Sequence, residues 1–322
     1  MRDRSAKPIL VTAATGKTGR HTVRLLLERG YRVRAFVHRH DARSQQLATM
    51  GAEVLSGDLL NFSSVRTALD GIDRAYFAYP IRPRLLEATA IFGQTARECD
   101  VKAILNMSQI SARHDAGSDA ARHHWLAERW LEWAPFAVTH LRPTFFSEWL
   151  PLYGIFTDHE GVLPLPLGDG RHAPIAAEDQ AYVIAAILAD PEPHAGKIYP
   201  LFGPVEMHHN EIAAAVSRAL GRPVRYDPIT IEAFTARLRA AGSHEHLLQH
   251  LRNVAIDYRN GVFAGTNDIV ETVGQKKPMT VEQFVLTNKD MFTSSPDPWP
   301  TAPPPGRGKE NRPNFRVNAG QT

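Results

Sequence analysis

Short apolar runs alternate with longer amphipathic segments through the first 140 residues of the chain. The runs typical of buried strands are at residues 9–11, 31–37, 53–55, 74–79, 101–107 and 137–141. Apolar positions three or four apart, as in helices, recur between them at residues 41–50, 62–69, 84–98 and 119–133. This alternation predicts an α/β fold, in which helices cover both faces of a doubly wound parallel sheet.

The pattern changes after residue 150. Residues 149–170 combine aromatic residues with proline and glycine, which predicts a loop over the carboxyl edge of the sheet. A helix and a strand within residues 172–203 are expected to return to the core formed by residues 1–150. The rest of residues 151–292 predicts a smaller, mostly helical substrate-capping region, with helices at 209–220, 231–241 and 245–260. Residues 293–322 are proline-rich and too polar to bury a core, which predicts a disordered tail.

The most specific pattern lies at residues 9–20. An apolar strand stops at a turn of small residues that contains Gly16 and Gly19, and an amphipathic helix follows. Gly16 would let the backbone approach a pyrophosphate, Gly19 would let helix and strand pack closely, and the helix N-terminus supplies amide donors. Ala13 stands where the first glycine usually lies. The residues expected around the dinucleotide phosphates are Thr12, Ala14, Thr15, Gly16, Lys17, Thr18 and Gly19.

The second predicted strand ends at the sequence His38-Arg39-His40. Arg39 lies about twenty residues after Gly19, where an NAD-selective site often has an acid that holds the ribose 2′-hydroxyl. A guanidinium there can bind a 2′-phosphate, so NADP(H) is the expected coenzyme and NAD(H) the alternative. In the other interpretation, Arg39 is a solvated loop cation and Asp41 holds the ribose.

Ligands of doubly wound sheets bind at the carboxyl ends of the strands, so residues just after the other strands are candidates for the same site. Asp58 offers a carboxylate to the adenine amino group, and the turn at residues 78–80 would run beneath the ribose and nicotinamide. The further residues expected to contact the coenzyme are Asp58, Leu59, Ala78, Tyr79, Pro80, Met107, Ser108, His124 and Pro143.

Composition narrows the class of protein. The chain has 322 residues, 43% of them hydrophobic, which is enough for one large core or two smaller ones. The net charge is only +3, and no basic run interleaves with aromatic residues, so we expect no nucleic-acid partner. The longest apolar run is too short to span a bilayer and no signal peptide precedes the first strand, so no membrane partner is expected. The single cysteine, Cys99, fits a reducing, cytoplasmic location.

Several of these pieces resemble the NmrA-like group of atypical short-chain dehydrogenases/reductases. The matching motifs are Thr12–Gly19, Gly57-Asp58-Leu59, the strand end at Ser108, and Thr139–Thr144, and the similarity extends over residues 8–292. The resemblance implies a Rossmann-type fold that binds NAD(P). It also implies one of two activities, which are NADPH-dependent reduction of quinones, dyes or phenylpropanoid-type compounds, and non-catalytic redox sensing for a transcription factor.

The chain departs from the wider superfamily at its catalytic pair. Active short-chain dehydrogenases carry Tyr-x-x-x-Lys on the helix after the fifth strand, often followed four residues later by Glu. Alignment on Glu128 places Ala120 and His124 at those two positions, and no tyrosine occurs between residues 106 and 143. The catalytic candidates are therefore Ser108, His124 and Glu128, with Glu128 orienting the His124 ring from i,i+4 spacing. The alternative is a structural His–Glu pair.

Aromatic residues after the sixth strand predict a pocket for a flat ligand. Its candidate residues are Gln109, Phe145, Phe146 and Trp149, and Tyr153 and Phe156 would extend the apolar wall. Ordinary packing of a small lid is the alternative interpretation of the same residues.

These observations together predict an NADPH-dependent oxidoreductase that transfers hydride to a small aromatic or quinone-like acceptor. Such a transfer needs no built-in phenol, because positioning supplies much of the rate and solvent can protonate the product. A non-catalytic redox sensor with a regulatory protein partner is the alternative, and a scaffold that binds no dinucleotide is the third. A homodimer fits any of these. The histidine pairs lack the accompanying ligands of a metal motif, so no metal is expected.

Overall fold

A computed structural model of the protein describes residues 7–293. Apart from Thr293, the predicted tail lies outside the described residues. The strands are β1 (Ile9–Val11), β2 (Val33–Val37), β3 (Glu53–Ser56), β4 (Arg74–Phe77), β5 (Ala103–Met107), β6 (Ala137–Pro143), β7 (Ile155–Phe156), β8 (Gly161–Leu165), β9 (Arg171–His172), β10 (Ile198–Leu201), β11 (Met207–His208) and β12 (Val224–Pro228).

Helices separate most of these strands. They are α1 (Lys17–Glu28), α2 (Ala42–Thr49), α3 (Phe62–Leu69), α4 (Leu85–Glu98), α5 (Asp119–Glu132), α6 (Trp149–Tyr153), α7 (Ala177–Ala189), α8 (His209–Leu220), α9 (Ile231–Ala240), α10 (Glu245–Arg259), α11 (Ile269–Thr272) and α12 (Val281–Thr287), with 3₁₀ turns at Glu192–His194 and Lys289–Phe292. Several begin at side chains that cap the first free amides, namely those of Asp41, Asn61, Ser118, Thr230 and Thr280.

The central sheet has seven parallel strands in the order β10-β6-β5-β4-β1-β2-β3. The predicted doubly wound sheet is therefore confirmed, and β10 lies at its edge beside β6. The strand order reverses between β1 and β4, which pair in register from Ile9 with Arg74 to Val11 with Tyr76. A crevice at the carboxyl ends of these two strands is where such folds bind ligands.

Alternation along the strands fills a core on each face of the sheet. Ile9 and Val11 of β1 pack with α1, α2 and α7, whereas Leu10 points to the opposite face and packs with α3, α4 and α5. All three residues are fully buried. Burial on both faces explains why the strands read as nearly continuous apolar runs in the sequence.

The structure corrects the prediction of a loop at residues 149–170. This segment contains α6, β7 and β8, and β8 pairs in parallel with β12 and antiparallel with β7 in a second, three-stranded sheet. Phe156, Leu163 and Leu165 are buried there in a third core, together with residues of α8, α9, α10 and α12. The segment is therefore an organised part of the capping region.

No helix within residues 7–293 is both long enough and apolar enough to cross a lipid bilayer.

Candidate functional site

The turn between β1 and α1 depends on close contacts that only glycine allows. Ala13 has a left-handed backbone with φ of +47°, and its carbonyl accepts a hydrogen bond of 2.8 Å from the Gly16 N–H. A Cβ atom added at Gly16 would lie 2.9 Å from the Ala13 oxygen, and one added at Gly19 would lie 2.3 Å from it. Ala13 itself bears the strain of a left-handed residue, about 1–2 kcal/mol, which glycine would avoid.

The N-terminus of α1 opens into this turn. Its N-cap, Gly16, has no side chain, so the amides of the first helical turn are left for another acceptor. Those amides and the positive end of the helix dipole form an anion cradle. Thr15 and Lys17 are half-buried beside it. Burial lowers the pKa of Lys17, although the nearby Glu148 carboxylate opposes this effect.

Two threonines fix the turn to the sheet. The buried Thr12 hydroxyl accepts a hydrogen bond of 2.9 Å from the Ala78 N–H, and the Thr18 hydroxyl lies 3.0 Å from the Tyr76 hydroxyl. Ala14, which is fully buried, donates its N–H to the Phe36 carbonyl of β2. These bonds hold the turn between β1 and α1 against β2 and β4, the two strands on either side of β1.

The Thr12–Ala78 bond also places the turn at residues 78–80 beside the crevice. Tyr79 is half-buried, and its hydroxyl donates to the Pro83 carbonyl at 3.1 Å, whereas Pro80 is exposed. This turn thus lies at the carboxyl end of β4, as predicted. The Thr12 contact fixes its first residue, and the contact with the Pro83 carbonyl fixes the Tyr79 side chain.

Arg39 and Asp41 have different roles at the end of β2. The Asp41 carboxylate caps α2 through the amides of Arg43 and Ser44 and forms an ion pair of 2.6 Å with Arg43. Arg39 is exposed and forms no ion pair with any residue in the described range. A free guanidinium beside an occupied carboxylate favours Arg39 over Asp41 as the ribose-side ligand.

The carboxyl end of β3 is held in a tight turn. The Asp58 carboxylate accepts a hydrogen bond of 2.9 Å from the Leu60 N–H, and Asp58 is exposed. Leu59 is partly buried against the core on the α3–α4 face. Asp58 and Leu59 therefore lie at the rim of the sheet next to the end of β2.

Two polar atoms at the end of β5, the Ser108 hydroxyl and the Gln109 Nε2, are buried and lack a hydrogen-bond partner among the described residues. The His124 Nδ1, on α5, is likewise buried and unpartnered. Met107, just before Ser108, is half-buried, and the Ser108 N–H donates to the Leu141 carbonyl at 2.8 Å. Buried polar groups rarely remain unbonded, so these atoms indicate a place where a polar ligand binds.

Burial also determines the charge of the His124 ring. Burial, with smaller contributions from the neighbouring His250 and His123, lowers the pKa of His124 to about 3. The ring is therefore neutral near pH 7 and has one donor and one acceptor nitrogen.

The predicted pairing of His124 with Glu128 is wrong. Both Glu128 oxygens bind the guanidinium of Arg142 on β6, with the Arg142 Nε at 2.8 Å, and Glu128 is fully buried. The planar guanidinium satisfies both carboxylate oxygens at once, which a single imidazole cannot do. Glu128 therefore fastens α5 to β6 next to Pro143, whose carbonyl accepts the Ile110 N–H.

Helix α10 of the capping region holds the loop between β5 and α5. Asp257 binds Arg113 through two bonds of 2.6 and 3.0 Å, and the Gln249 side chain donates to the Gly117 carbonyl at 2.8 Å. The Ser118 hydroxyl, which caps α5, lies 2.8 Å from His250 Nδ1. The sequence carried no signal for these positioning contacts, or for that of Arg142, because their partners are distant along the chain.

The predicted aromatic wall is only partly assembled. Phe146 and Trp149 stack with ring centroids 5.0 Å apart, and Phe145 meets Trp149 edge to face at the same distance. Tyr153 and Phe156, in contrast, pack against Phe234 and Phe292 in the capping core. The side chain of Gln109 accepts a hydrogen bond from Ser111 through its oxygen.

A dinucleotide fits this arrangement at two independent places. The glycine-dependent cradle at α1 suits a pyrophosphate, since added Cβ atoms would fill it. The unpartnered atoms of Ser108, Gln109 and His124 suit the polar groups of the other end of such a ligand. No group of three or more His, Cys, Asp or Glu residues within 7–293 is arranged to hold a metal ion.

This sheet order, with a glycine-dependent turn at its switch point, defines the class of Rossmann-type dinucleotide-binding folds. The sequence model of the NmrA-like family matches residues 5–285. The NAD(P)H azoreductase of Xenophilus azovorans is 30% identical over 286 residues, which are 88% of this chain and 99% of that protein. The chain therefore belongs to the NmrA-like family.

Solved structures have the same fold. The NADPH-dependent quinone oxidoreductase QOR2 of Escherichia coli, in complex with NADPH, aligns with a TM-score of 0.74 and 22% identity over 86% of this chain and 98% of that one. NmrA, a negative transcriptional regulator in complex with NADP, aligns with a TM-score of 0.73 and 16% identity over 88% of this chain and 95% of that one.

Replacement of Gly19 by alanine should destabilise the fold. Its Cβ atom would lie 2.3 Å from the Ala13 carbonyl oxygen, so the turn or the helix must shift. We expect the free energy of unfolding to fall by about 1–3 kcal/mol, as for overpacked sites, when measured by urea denaturation. Ala13→Gly is the matched control in the same turn: relief of the left-handed strain is opposed by the greater freedom of glycine in the unfolded chain, so stability should change by less than about 1 kcal/mol. Equal effects of both changes would contradict the proposed packing.

The protein should lose stability in acid partly through His124. Its pKa is about 3 in the folded protein, below the value of about 6.5 in an unfolded chain, so the unfolded chain binds the extra proton between these values. Stability contributed by the neutral ring is complete above pH 6.5 and is lost as the pH falls towards 3. In His124→Gln, the slope of unfolding free energy against pH below 6 should decrease by up to about 1.4 kcal/mol per unit. Leu126→Gln, on the exposed side of α5, is the control, and equal slopes in the two variants would refute the expectation.

Proposed function

We propose that the protein is an NAD(P)H-dependent oxidoreductase that prefers NADPH and transfers hydride to a small aromatic or quinone-like acceptor. The observation that carries this proposal is a pair of unsatisfied sites after strands of the central sheet. One is the anion cradle at α1, after β1, and the other is the unpartnered Ser108 hydroxyl and Gln109 Nε2 after β5, with the unpartnered His124 Nδ1 on α5. A pyrophosphate coenzyme accounts for both.

The turn between β1 and α1 would hold the coenzyme through backbone amides. Residues 15–19 supply the helix N-terminus, and Thr12 keeps the turn aligned with residues 78–80 at the nicotinamide side. Arg39 would bind the 2′-phosphate in a bidentate manner, since its neighbour Asp41 is occupied by α2 and Arg43. Three arginines, Arg20, Arg24 and Arg43, also line a cavity of about 680 Å³ between α1 and α2 on this side.

When bound, the coenzyme supplies the hydride. The chain contributes Ser108 and Gln109 as hydrogen-bonding groups and a neutral His124 that binds as a donor or acceptor without carrying charge. Ala120 stands where a catalytic tyrosine would lie, so we infer that solvent protonates the product. This disfavours alcohol and ketone chemistry and favours acceptors whose reduced form takes up protons from water.

The relatives point in the same direction. The names of the azoreductase from Xenophilus azovorans and of the quinone oxidoreductase from Escherichia coli describe reduction of small unsaturated acceptors by NAD(P)H. The missing Tyr-x-x-x-Lys pair favours the second candidate, a non-catalytic NADP(H) sensor such as the structurally similar regulator NmrA suggests. Oxidation of NADPH in the presence of an acceptor distinguishes the reductase from the sensor.

Purified protein should oxidise NADPH in the presence of a quinone or an azo dye. The reaction is followed by the absorbance of NADPH, and binding is measured separately by calorimetry. In Gly16→Val, the added side chain meets the Ala13 oxygen and fills the cradle, so NADPH affinity should fall at least about tenfold, with turnover falling in parallel. Wild-type binding of NADPH without turnover across a panel of quinones and dyes would reject the reductase and support the sensor.

Coenzyme choice should depend on Arg39. In Arg39→Glu, repulsion of the 2′-phosphate should lower the ratio of NADPH to NADH affinity by at least about tenfold. Arg32→Glu is the matched control, because Arg32 is exposed at the opposite end of the same strand. A ratio that is equally unchanged in both variants would show that Arg39 does not bind the phosphate.

A further inference from the structure

Three side chains behind the aromatic wall form a fully buried polar cluster. His172 lies on β9, His209 begins α8, and Tyr258 lies on α10, and none of them is exposed to solvent. The ring centroid of His172 is 4.8 Å from that of His209 and 5.0 Å from that of Tyr258. We call these three residues the inner polar cluster.

The inner polar cluster is poorly satisfied within the described residues. Both ring nitrogens of His172 are buried and unbonded, and no hydrogen bond of good geometry reaches those of His209 or the Tyr258 hydroxyl, although the Gly170 backbone lies close to His209 and the Thr144 side chain close to Tyr258. An unbonded buried polar group costs about 1–3 kcal/mol, so the two nitrogens of His172 alone need an explanation. A polar molecule bound among them would supply it.

The position of the cluster connects it to the predicted acceptor pocket. The Phe145 ring centroid lies 4.9 Å from that of His172 and 5.0 Å from that of Trp149. Phe145 also meets His209 and Tyr258 at about 6 Å. Phe145 thus stands between the half-buried Trp149 and the inner polar cluster.

The cluster is uncharged. Burial lowers the pKa of His172 well below 6.5 and that of His209 to about 3, although the backbone of Gly170 partly opposes the effect on His209. Burial also raises the pKa of Tyr258 well above 10, with the Thr144 side chain opposing it. A charged ligand group would therefore find no counter-charge here, and a neutral oxygen is the better match.

We propose that His172, His209 and Tyr258 form the inner end of the acceptor pocket and hydrogen-bond a neutral hydroxyl or carbonyl oxygen of an aromatic ligand. Neutral imidazoles each provide one donor and one acceptor, and the tyrosine hydroxyl provides both, so either oxygen type is accommodated. The ligand's ring would take the place beside Trp149 and displace Phe145 from its contact with the cluster. This inference rests on the proposed function, since it specifies the acceptor of that same site.

Binding of 1-naphthol and naphthalene, which differ by one hydroxyl, tests the proposal without any redox reaction. Each is titrated into the protein saturated with NADP⁺, and tryptophan fluorescence reports the affinity. Wild-type protein should prefer 1-naphthol, and His172→Phe and Tyr258→Phe should each reduce that preference by about tenfold while changing naphthalene affinity less than about twofold.

Tyr226→Phe is the matched control. Tyr226 packs against His209 with ring centroids 5.0 Å apart, but its hydroxyl already donates to the carbonyls of Leu165 and Gly168. It should lose some stability and leave the preference for 1-naphthol unchanged. Tyr258→Phe removes one hydroxyl whose contact with Thr144 is not a hydrogen bond of good geometry, so it should lose little stability and keeps the test decisive if His172→Phe folds poorly.

An unchanged preference in both cluster variants, or no wild-type preference for 1-naphthol, overturns the proposal; that is also the result expected if only ordered water fills the cluster. Because the titration involves no turnover, a protein that discriminates 1-naphthol but reduces no acceptor would retain this binding site and lose only the reductase function. A protein that reduces an acceptor but binds 1-naphthol and naphthalene equally well would keep the reductase function and lose this binding site.

Discussion

The close packing of the Ala13 carbonyl against Gly16 and Gly19 is the constraint on which the rest of the site depends. It brings the first turn of α1 against the end of β1 and leaves the helix amides open at the point where the strand order reverses. Thr12 fixes this turn relative to the end of β4, because its hydroxyl accepts a hydrogen bond from the Ala78 N–H. The geometry of the candidate coenzyme site is thus set by backbone contacts.

The fold was largely predictable because the strands and helices of the first 140 residues differ in hydrophobic period. Strand positions were recovered to within a few residues, and the turn at residues 12–19 was evident from its glycine spacing. The second sheet was missed because β8 pairs with β12, about sixty residues away, and such a distant pairing leaves no local period. The role of Glu128 was misassigned for a related reason. An i,i+4 spacing shows that two residues share a helix face, but the competing partner, Arg142, belongs to a strand.

Two buried histidines of this protein, His124 and His209, are neutral. Burial lowers the pKa of His124 and of His209 to about 3, so neither ring carries charge near neutral pH. A site built from such rings recognises shape and hydrogen bonding more than charge. That character suits uncharged ligands, and proteins similar to this chain include by name both an azoreductase and, with the same fold, a transcriptional regulator.

Helix α10 belongs to the capping region, yet its Gln249, His250 and Asp257 hold the loop that follows β5, and its Tyr258 reaches the inner polar cluster. The region proposed to shape the acceptor pocket therefore also supports the loop that follows β5. Exchange of the capping region alone between relatives would separate α10 from the loop that it holds. A chimera would need to carry the β5–α5 loop together with α10, because these contacts join the two parts of the protein.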